Sequence, residues 1–102
     1  VYMGTITPFN GCKGYFTEAR DAARKTVNEW IRTNHEIDGF IDFDALMRDP
    51  SSPDRLRKEW QIGDWLHPNP AGYKAMGEYA AKKLEEMNVP TPIVYDNVYH
   101  SY

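Results

Sequence analysis

Gly63-Asp64-Trp65-Leu66-His67-Pro68-Asn69-Pro70-Ala71-Gly72-Tyr73 brings together a titratable pair, a helix start and an aromatic wall. Asp64 and His67 stand three residues apart on a segment that Gly63, Pro68 and Pro70 keep from being helical. A carboxylate at that spacing can turn back and accept the Nδ1 proton of the imidazole. That fixes the tautomer and leaves Nε2 facing outward as a base. Asn69 reads as an N-cap and Pro70 as the first helical residue, so a helix is expected directly after the histidine. The Asp-x-x-His spacing alone has low specificity. Chance supplies one in about one chain in ten of this size, and an isolated histidine of this kind is more often a cap or a core residue.

Downstream, the spacing predicts a helix from about Pro70 to Met87. Met76, Tyr79, Ala80, Leu84 and Met87 form its buried stripe, and Glu78, Lys82 and Glu86 lie on its wet face. Asn88 and Pro90 end it. The Tyr- and Pro-rich remainder reads either as an extended strand docked on the domain or as a linker. Upstream, Arg48 to Ile62 is a long connection punctuated by Pro50 and Pro53. In it, Ser52-Pro53-Asp54 is expected to cap a short helical turn carrying Leu56 and Trp60 inward. Ser51 and Ser52 sit on no strand-to-helix elbow and are rejected as nucleophiles.

Farther upstream, Val1 to Thr7 is β-rich and ends at Pro8, as a short buried strand would. Pro8 to Gly14 is a loop. Thr17 is the expected N-cap of a first helix whose apolar face is Ala19, Ala22, Ala23, Val27, Trp30 and Ile31. Arg20, Asp21, Arg24, Lys25, Asn28 and Glu29 form its other face, read as solvated charge. Phe40 to Phe43, after Gly39, is a second strand. Strand, helix, strand predicts a parallel pair with a right-handed crossover. The loop leaving a strand's carboxyl end borders the ligand crevice in open α/β sheets, which makes Thr5, Thr7 and Phe9 candidate crevice residues. Asp38, Asp42 and Asp44 resemble a metal cluster but lack the loop and the fourth ligand for one, so turn and cap roles are expected.

Composition bounds the function. A chain of 102 residues is one domain at most, with 41% hydrophobic and 14% aromatic residues, as suits a globular protein. The net charge of −3, with signs interspersed, argues against a nucleic-acid partner. No apolar run approaches the ~20 residues of a membrane span. Cys12 stands alone, which leaves no internal disulfide and no zinc ligand set, and no cofactor or metal is expected. His35 and His100 carry no functional argument.

Asp64-Trp65-Leu66-His67-Pro68-Asn69 followed by Gly72-Tyr73 resembles the last motif block of the SGNH (GDSL) hydrolases. With the whole string included, catalysis becomes the favoured reading of Asp64 and His67. The resemblance implies an α/β fold: residues 1–88 as the carboxyl-terminal part of a flavodoxin-like α/β/α sandwich around about five parallel strands, and 89–102 as a tail. It implies ester hydrolysis, with Asp64 and His67 as catalytic acid and base and with Thr7, Phe9, Trp65 and Leu66 lining the substrate. An O-acetyl group on carbohydrate is the slightly favoured ester, and the resemblance is compatible with secretion.

The family's nucleophile lies in a Gly-Asp-Ser motif, and its oxyanion donors include a glycine and an asparagine of a Gly-x-Asn-Asp-type block. None of these occurs in the 102 residues. The expected partners are therefore an ester substrate and the amino-terminal part of the same domain, with self-association as a further expectation because two strands cannot cover two helices. The competing reading keeps the same fold as a non-catalytic binding module with Tyr95, Tyr99 and Tyr102 as its surface.

Overall fold

A computed structural model describes residues 1–89. The element order is β1 (Tyr2–Gly4), α1 (Glu18–Thr33), β2 (Gly39–Ile41), α2 (Phe43–Met47), β3 (Arg48–Asp49), β4 (Ser52–Leu56), a 3-10 turn (Lys58–Trp60) and α3 (Pro70–Glu86). The architecture is mixed α/β. β1 and β2 pair in parallel, Met3 opposite Phe40, with α1 as the crossover between them, as the strand–helix–strand pattern requires. Thr17 caps α1, its hydroxyl accepting the Arg20 N–H at 3.0 Å. Asn69 caps α3 in the same way, accepting the Gly72 N–H at 2.8 Å, with Pro70 in the first turn.

β1 is neither as long nor as buried as expected. Tyr2 and Gly4 are exposed, and the ladder stops where the Thr5 N–H donates to the Ile41 carbonyl at 3.1 Å. Beyond that point Asn28 of α1 replaces the neighbouring strand. Its Oδ1 accepts the Ile6 N–H at 2.7 Å and its Nδ2 donates to the Ile6 carbonyl at 2.8 Å. A side-chain amide thus pairs both backbone groups of a residue that has left the sheet, which is how a chain end avoids unsatisfied polar groups.

The facing of α1 is the main correction. Ala19, Ala22, Ala23, Val27 and Trp30 point outward, Trp30 being 55% exposed, whereas Asp21, Arg24, Asn28 and Ile31 face inward. The polar face is no solvated face. Arg24 is bonded to Asp21 at 3.0 Å and to Asp44 at 2.8 Å. Arg32 donates to both oxygens of Asp42 at 2.9 Å and to Asp44 at 2.9 Å. Buried charge is tolerated when it is paired and hydrogen-bonded, and here two arginines and three aspartates satisfy one another between α1 and α2.

The second strand also ends earlier than expected. Asp42 is the N-cap of α2, accepting the Ala45 N–H at 3.1 Å, so Phe43 is helical and not in the strand. Thr5 fastens β1 to this cap. Its hydroxyl donates to Asp42 at 2.9 Å and accepts the Asp44 N–H at 2.9 Å. Asp42 thus takes the expected cap role, whereas Asp44 lies inside α2 and is an ion-pair residue.

The connection from Arg48 holds an antiparallel hairpin, β3 with β4, where a helical turn was expected at Ser52–Asp54. Pro53 lies near the start of β4, a position where a missing N–H is tolerated. Ser51 and Ser52 are exposed at the hairpin turn, away from any elbow. Leu56 from β4 and Met47 from α2 are fully buried, and with Ile31, Ile41 and Phe9 they make the core. The α3 stripe of Met76, Tyr79, Ala80, Leu84 and Met87 is only half-buried. The tail from Pro90, with its expected docking surface, lies outside the described residues.

Two outcomes follow for stability. Removing Asp44 takes one charge-assisted partner from buried Arg24 and one from half-buried Arg32, a loss of about 3 kcal/mol. Asp44→Ala is therefore expected to lower Tm by roughly 12 °C or more, while Glu36→Ala on the surface stays within about 0.5 kcal/mol. Equal melting of the two variants by circular dichroism contradicts a structural role for the network. Burial opposes the charge on Asp42, but the Arg32 hydrogen bonds, the Ala45 N–H and the Thr5 hydroxyl outweigh it and hold its carboxyl below the usual range. A depressed carboxyl stabilises the fold above its unfolded value of about 3.9. That contribution is lost as pH falls through the lower folded value. Arg32→Gln should therefore flatten the acid limb of the stability-versus-pH curve.

Candidate active site

The segment between the 3-10 turn and α3 is a closed loop. The Ile62 N–H donates to the His67 carbonyl at 3.1 Å, and the Asn69 N–H to the Trp60 carbonyl at 2.9 Å. Asn69 also reaches back with its Nδ2 to the Glu59 carbonyl at 2.9 Å, so one side chain welds the 3-10 turn to the helix start. Gly72 makes this approach possible, because any Cβ there would run into the Trp60 carbonyl oxygen. Inside the loop, the Gln61 Oε1 accepts the Gly63 N–H at 2.6 Å and the Trp65 N–H at 3.0 Å. Gly63 at φ 109° and Trp65 at φ 60° make the turns that this compact path demands.

Asp64 is saturated by its own loop. Its Oδ1 accepts the Leu66 N–H at 3.0 Å and the His67 N–H at 2.9 Å, which aims Oδ2 at the His67 Nδ1, 2.5 Å away. A carboxylate can only accept, so Nδ1 carries the proton and Nε2 is left as the free basic nitrogen. The His67 side chain is 59% exposed, so the ring projects from the surface and is not packed in the core. The His67 hydrogen bonds, side chain first and then backbone, pull the Asp64 carboxyl down to about 2. A carboxyl held that low stays ionised through the neutral range, as an orienting acid must.

Trp65 lies beside this pair with Gly11 against its ring; a Cβ on Gly11 would come within 2.9 Å of the indole Cγ. The guanidinium of Arg55 sits over the indole, its carbon 4.5 Å from the ring centroid. Leu66 is half-buried, as is Thr7. Phe9 is 5% exposed and packs on Tyr15 and Phe16, with ring centroids 4.9 and 5.8 Å away, so its side chain belongs to the core. Thr5 is likewise buried, its hydroxyl committed to α2.

Sequence reasoning missed Gln61, Gly11, Arg55 and Asn28. Of these, only Gly11, inside an Asn-Gly-Cys-Lys-Gly loop, left a visible mark. Two clefts of about 330 and 320 Å³ occur elsewhere, one lined by Asn10, Phe16 and Asp54 and the other by Phe40, Tyr79 and Met87; neither includes Asp64 or His67.

The geometry predicts a titration. In a carboxyl 13C NMR titration, Asp64 is expected to move at about pH 2 and, in the His67→Ala variant, to return toward the usual carboxylate range. Asp64 titrating near 4 in the unsubstituted chain would mean that the pair is not formed in solution.

No curated protein matches the chain. The sequence model of the GDSL-like lipase/acylhydrolase family matches residues 1–80, well over half of the chain and all of the segment that carries the Asp64–His67 pair. On that match, and on the Asp64-Trp65-Leu66-His67-Pro68-Asn69 string within it, the chain belongs to the GDSL-like lipase/acylhydrolase family.

Proposed function

We propose that this chain supplies the acid and base of a serine-type carboxylic ester hydrolase whose nucleophile and oxyanion donors lie outside the 102 residues. The supporting observation is the Asp64–His67 pair, held at 2.5 Å by a loop that leaves Nε2 outward. In this reading a serine hydroxyl attacks the ester carbonyl and His67 Nε2 takes its proton. The imidazolium then returns the proton to the leaving alkoxide, and Asp64 stabilises the charge in between. Trp65, Leu66 and Thr7 border the substrate in this reading. An O-acetyl group on carbohydrate is the ester that the aromatic surroundings suit best.

The sequence contains no Gly-Asp-Ser and no Gly-x-Asn-Asp-type block. Without a nucleophile the base has no proton to take, and oxyanion donors account for several kcal/mol of the barrier. The chain alone is therefore inactive in this proposal. The remainder of the domain adds strands to the edges of β1 and β2 that are unpaired among the described residues, completing a flavodoxin-like α/β/α sandwich, and covers the outward apolar face of α1. Ala19, Ala22, Ala23, Val27 and Trp30 form a continuous stripe there, the kind of face that a helix buries against a further layer.

The second reading, a non-catalytic binding module, draws its support from the same missing serine. Its proposed aromatic surface of Tyr95, Tyr99 and Tyr102 lies outside the described residues. The coding sequence ahead of Val1 separates the two readings. An in-frame Gly-Asp-Ser is expected there, and the joined polypeptide is expected to hydrolyse p-nitrophenyl acetate. His67→Ala should then cost at least about a thousandfold in kcat. Absence of the motif, or activity indifferent to His67, refutes the hydrolase reading. Residues 1–102 by themselves are expected to show no activity and to self-associate through the α1 face. Sedimentation as a monodisperse monomer, with cooperative unfolding, contradicts that part of the proposal.

A further inference from the structure

Arg55 stands apart from the other arginines. The chain has six, and five have a carbonyl or carboxylate within hydrogen-bond or ion-pair reach. Arg55 has no such acceptor among the described residues, and its Nε is buried without a partner. A charged donor taken out of water without an acceptor is costly, and such a group in a folded protein calls for a partner. The Trp65 indole beneath it offsets part of this through its π face. An aromatic face does not satisfy the N–H groups that lie in the guanidinium plane.

Arg57 shows that stacking is not the distinguishing feature. It too lies over a tryptophan, Trp60 at 5.2 Å, but it donates to the Leu46 carbonyl at 3.3 Å and sits 3.9 Å from Glu59. Asp54, the neighbour of Arg55 in sequence, and Asp64, the neighbour of Trp65, are both engaged. Asp54 pairs with Lys25 at 2.8 Å, and Asp64 with His67.

The position of Arg55 is fixed from two sides. The Asn10 N–H donates to the Asp54 carbonyl at 2.9 Å, tying the Pro8–Gly14 loop to β4 one residue before Arg55. Gly11 of that loop meets the Trp65 ring, and Trp65 directly follows Asp64. Three segments thus hold a planar cation, with no acid partner among the described residues, on the ring of the residue that follows Asp64. The fork of a guanidinium matches the two oxygens of a carboxylate or the oxygens of a phosphate.

We propose that Arg55, laid over Trp65, recognises an oxyanion group, carboxylate or phosphate, on the molecule whose ester the Asp64–His67 pair addresses. The inference rests on the hydrolase reading for its last clause, but its core is an anion site that can be tested without catalysis. The substrate class it specifies is an ester of an anionic molecule.

The test is an NMR titration of the 102-residue chain with sodium acetate and, separately, inorganic phosphate at constant ionic strength, following the Arg55 Nε–H and the Trp65 indole N–H. Saturable shifts in at least one titration are expected, with Kd on the order of millimolar. Whichever anion binds more tightly identifies the group. Arg55→Gln should weaken the binding at least fivefold, Arg57→Gln should leave it unchanged, and methyl acetate, which is neutral, should cause no saturable shift. Arg55→Lys, which keeps the charge but not the fork, should fall between and serves if the glutamine variant does not fold. Shifts that rise without saturating, or that survive Arg55→Gln, overturn the proposal. Phosphate or acetate binding at Arg55 without any His67-dependent hydrolysis by the joined polypeptide removes the hydrolase reading and leaves the anion site. Hydrolysis without anion binding at Arg55 removes only the site.

Discussion

The carboxylate of Asp44 is where the tertiary structure is joined. It receives Arg24 at 2.8 Å and Arg32 at 2.9 Å from two turns of α1, while its own N–H is held by Thr5 at the end of β1. The crossover helix, the end of the first strand and α2 therefore meet at one residue. The apolar core of Met47, Leu56, Ile31, Ile41 and Phe9 is small for a domain, and it sits directly around this junction. With so little hydrophobic burial, the orientation of α1 is set by directional, charge-assisted bonds, which tolerate no rotation of the helix by even one position.

That constraint reaches the candidate site through the backbone. Arg24 and Asn28 on the inward face of α1 hold Ile6, whose carbonyl accepts from Asn28 at 2.8 Å and lies 3.5 Å from Arg24. The chain then runs through buried Pro8 and Phe9 to Gly11, the residue against which Trp65 rests. Aromatic packing of Phe9 on Tyr15 and Phe16 keeps this loop compact. The polar face of α1 thus positions one wall of the Asp64–His67 loop without touching either residue.

Local signals were legible in the sequence, and long-range ones were not. Thr17 and Asn69-Pro70 announced the starts of α1 and α3 because capping spans four consecutive residues. The Asp64–His67 approach was legible for the same reason: a three-residue reach inside a Gly- and Pro-bounded turn. The facing of α1 was misread because periodicity shows that a helix has an apolar stripe and leaves open what the stripe meets. Asp21, Arg24 and Asn28 look like solvated charge until Asp44, twenty residues beyond Arg24, is brought beside them. The β3–β4 hairpin was hidden by Pro50 and Pro53, which speak against a strand unless its first positions can do without an N–H. Gln61 had no signal at all, since accepting two backbone N–H groups in a turn leaves no mark on composition or spacing.

The contrast between these two levels explains how an aimed Asp64–His67 pair can be present in 102 residues that hold no Gly-Asp-Ser. Asp64 accepts two N–H groups of its own loop, Gln61 accepts two more, and Asn69 closes the base of that loop onto Trp60 and Glu59. Every bond that aims His67 comes from residues 59–72, so the acid–base pair is organised by its own segment and asks nothing of a further layer. Substrate, by contrast, needs walls, and the clefts of about 330 and 320 Å³ lie away from His67. Among the described residues the outer edges of β1 and β2 carry no further strand, and the apolar face of α1 is exposed. The unit that is complete here is the aimed imidazole. The enclosure of a ligand, by contrast, is in an α/β fold a property of the whole sheet.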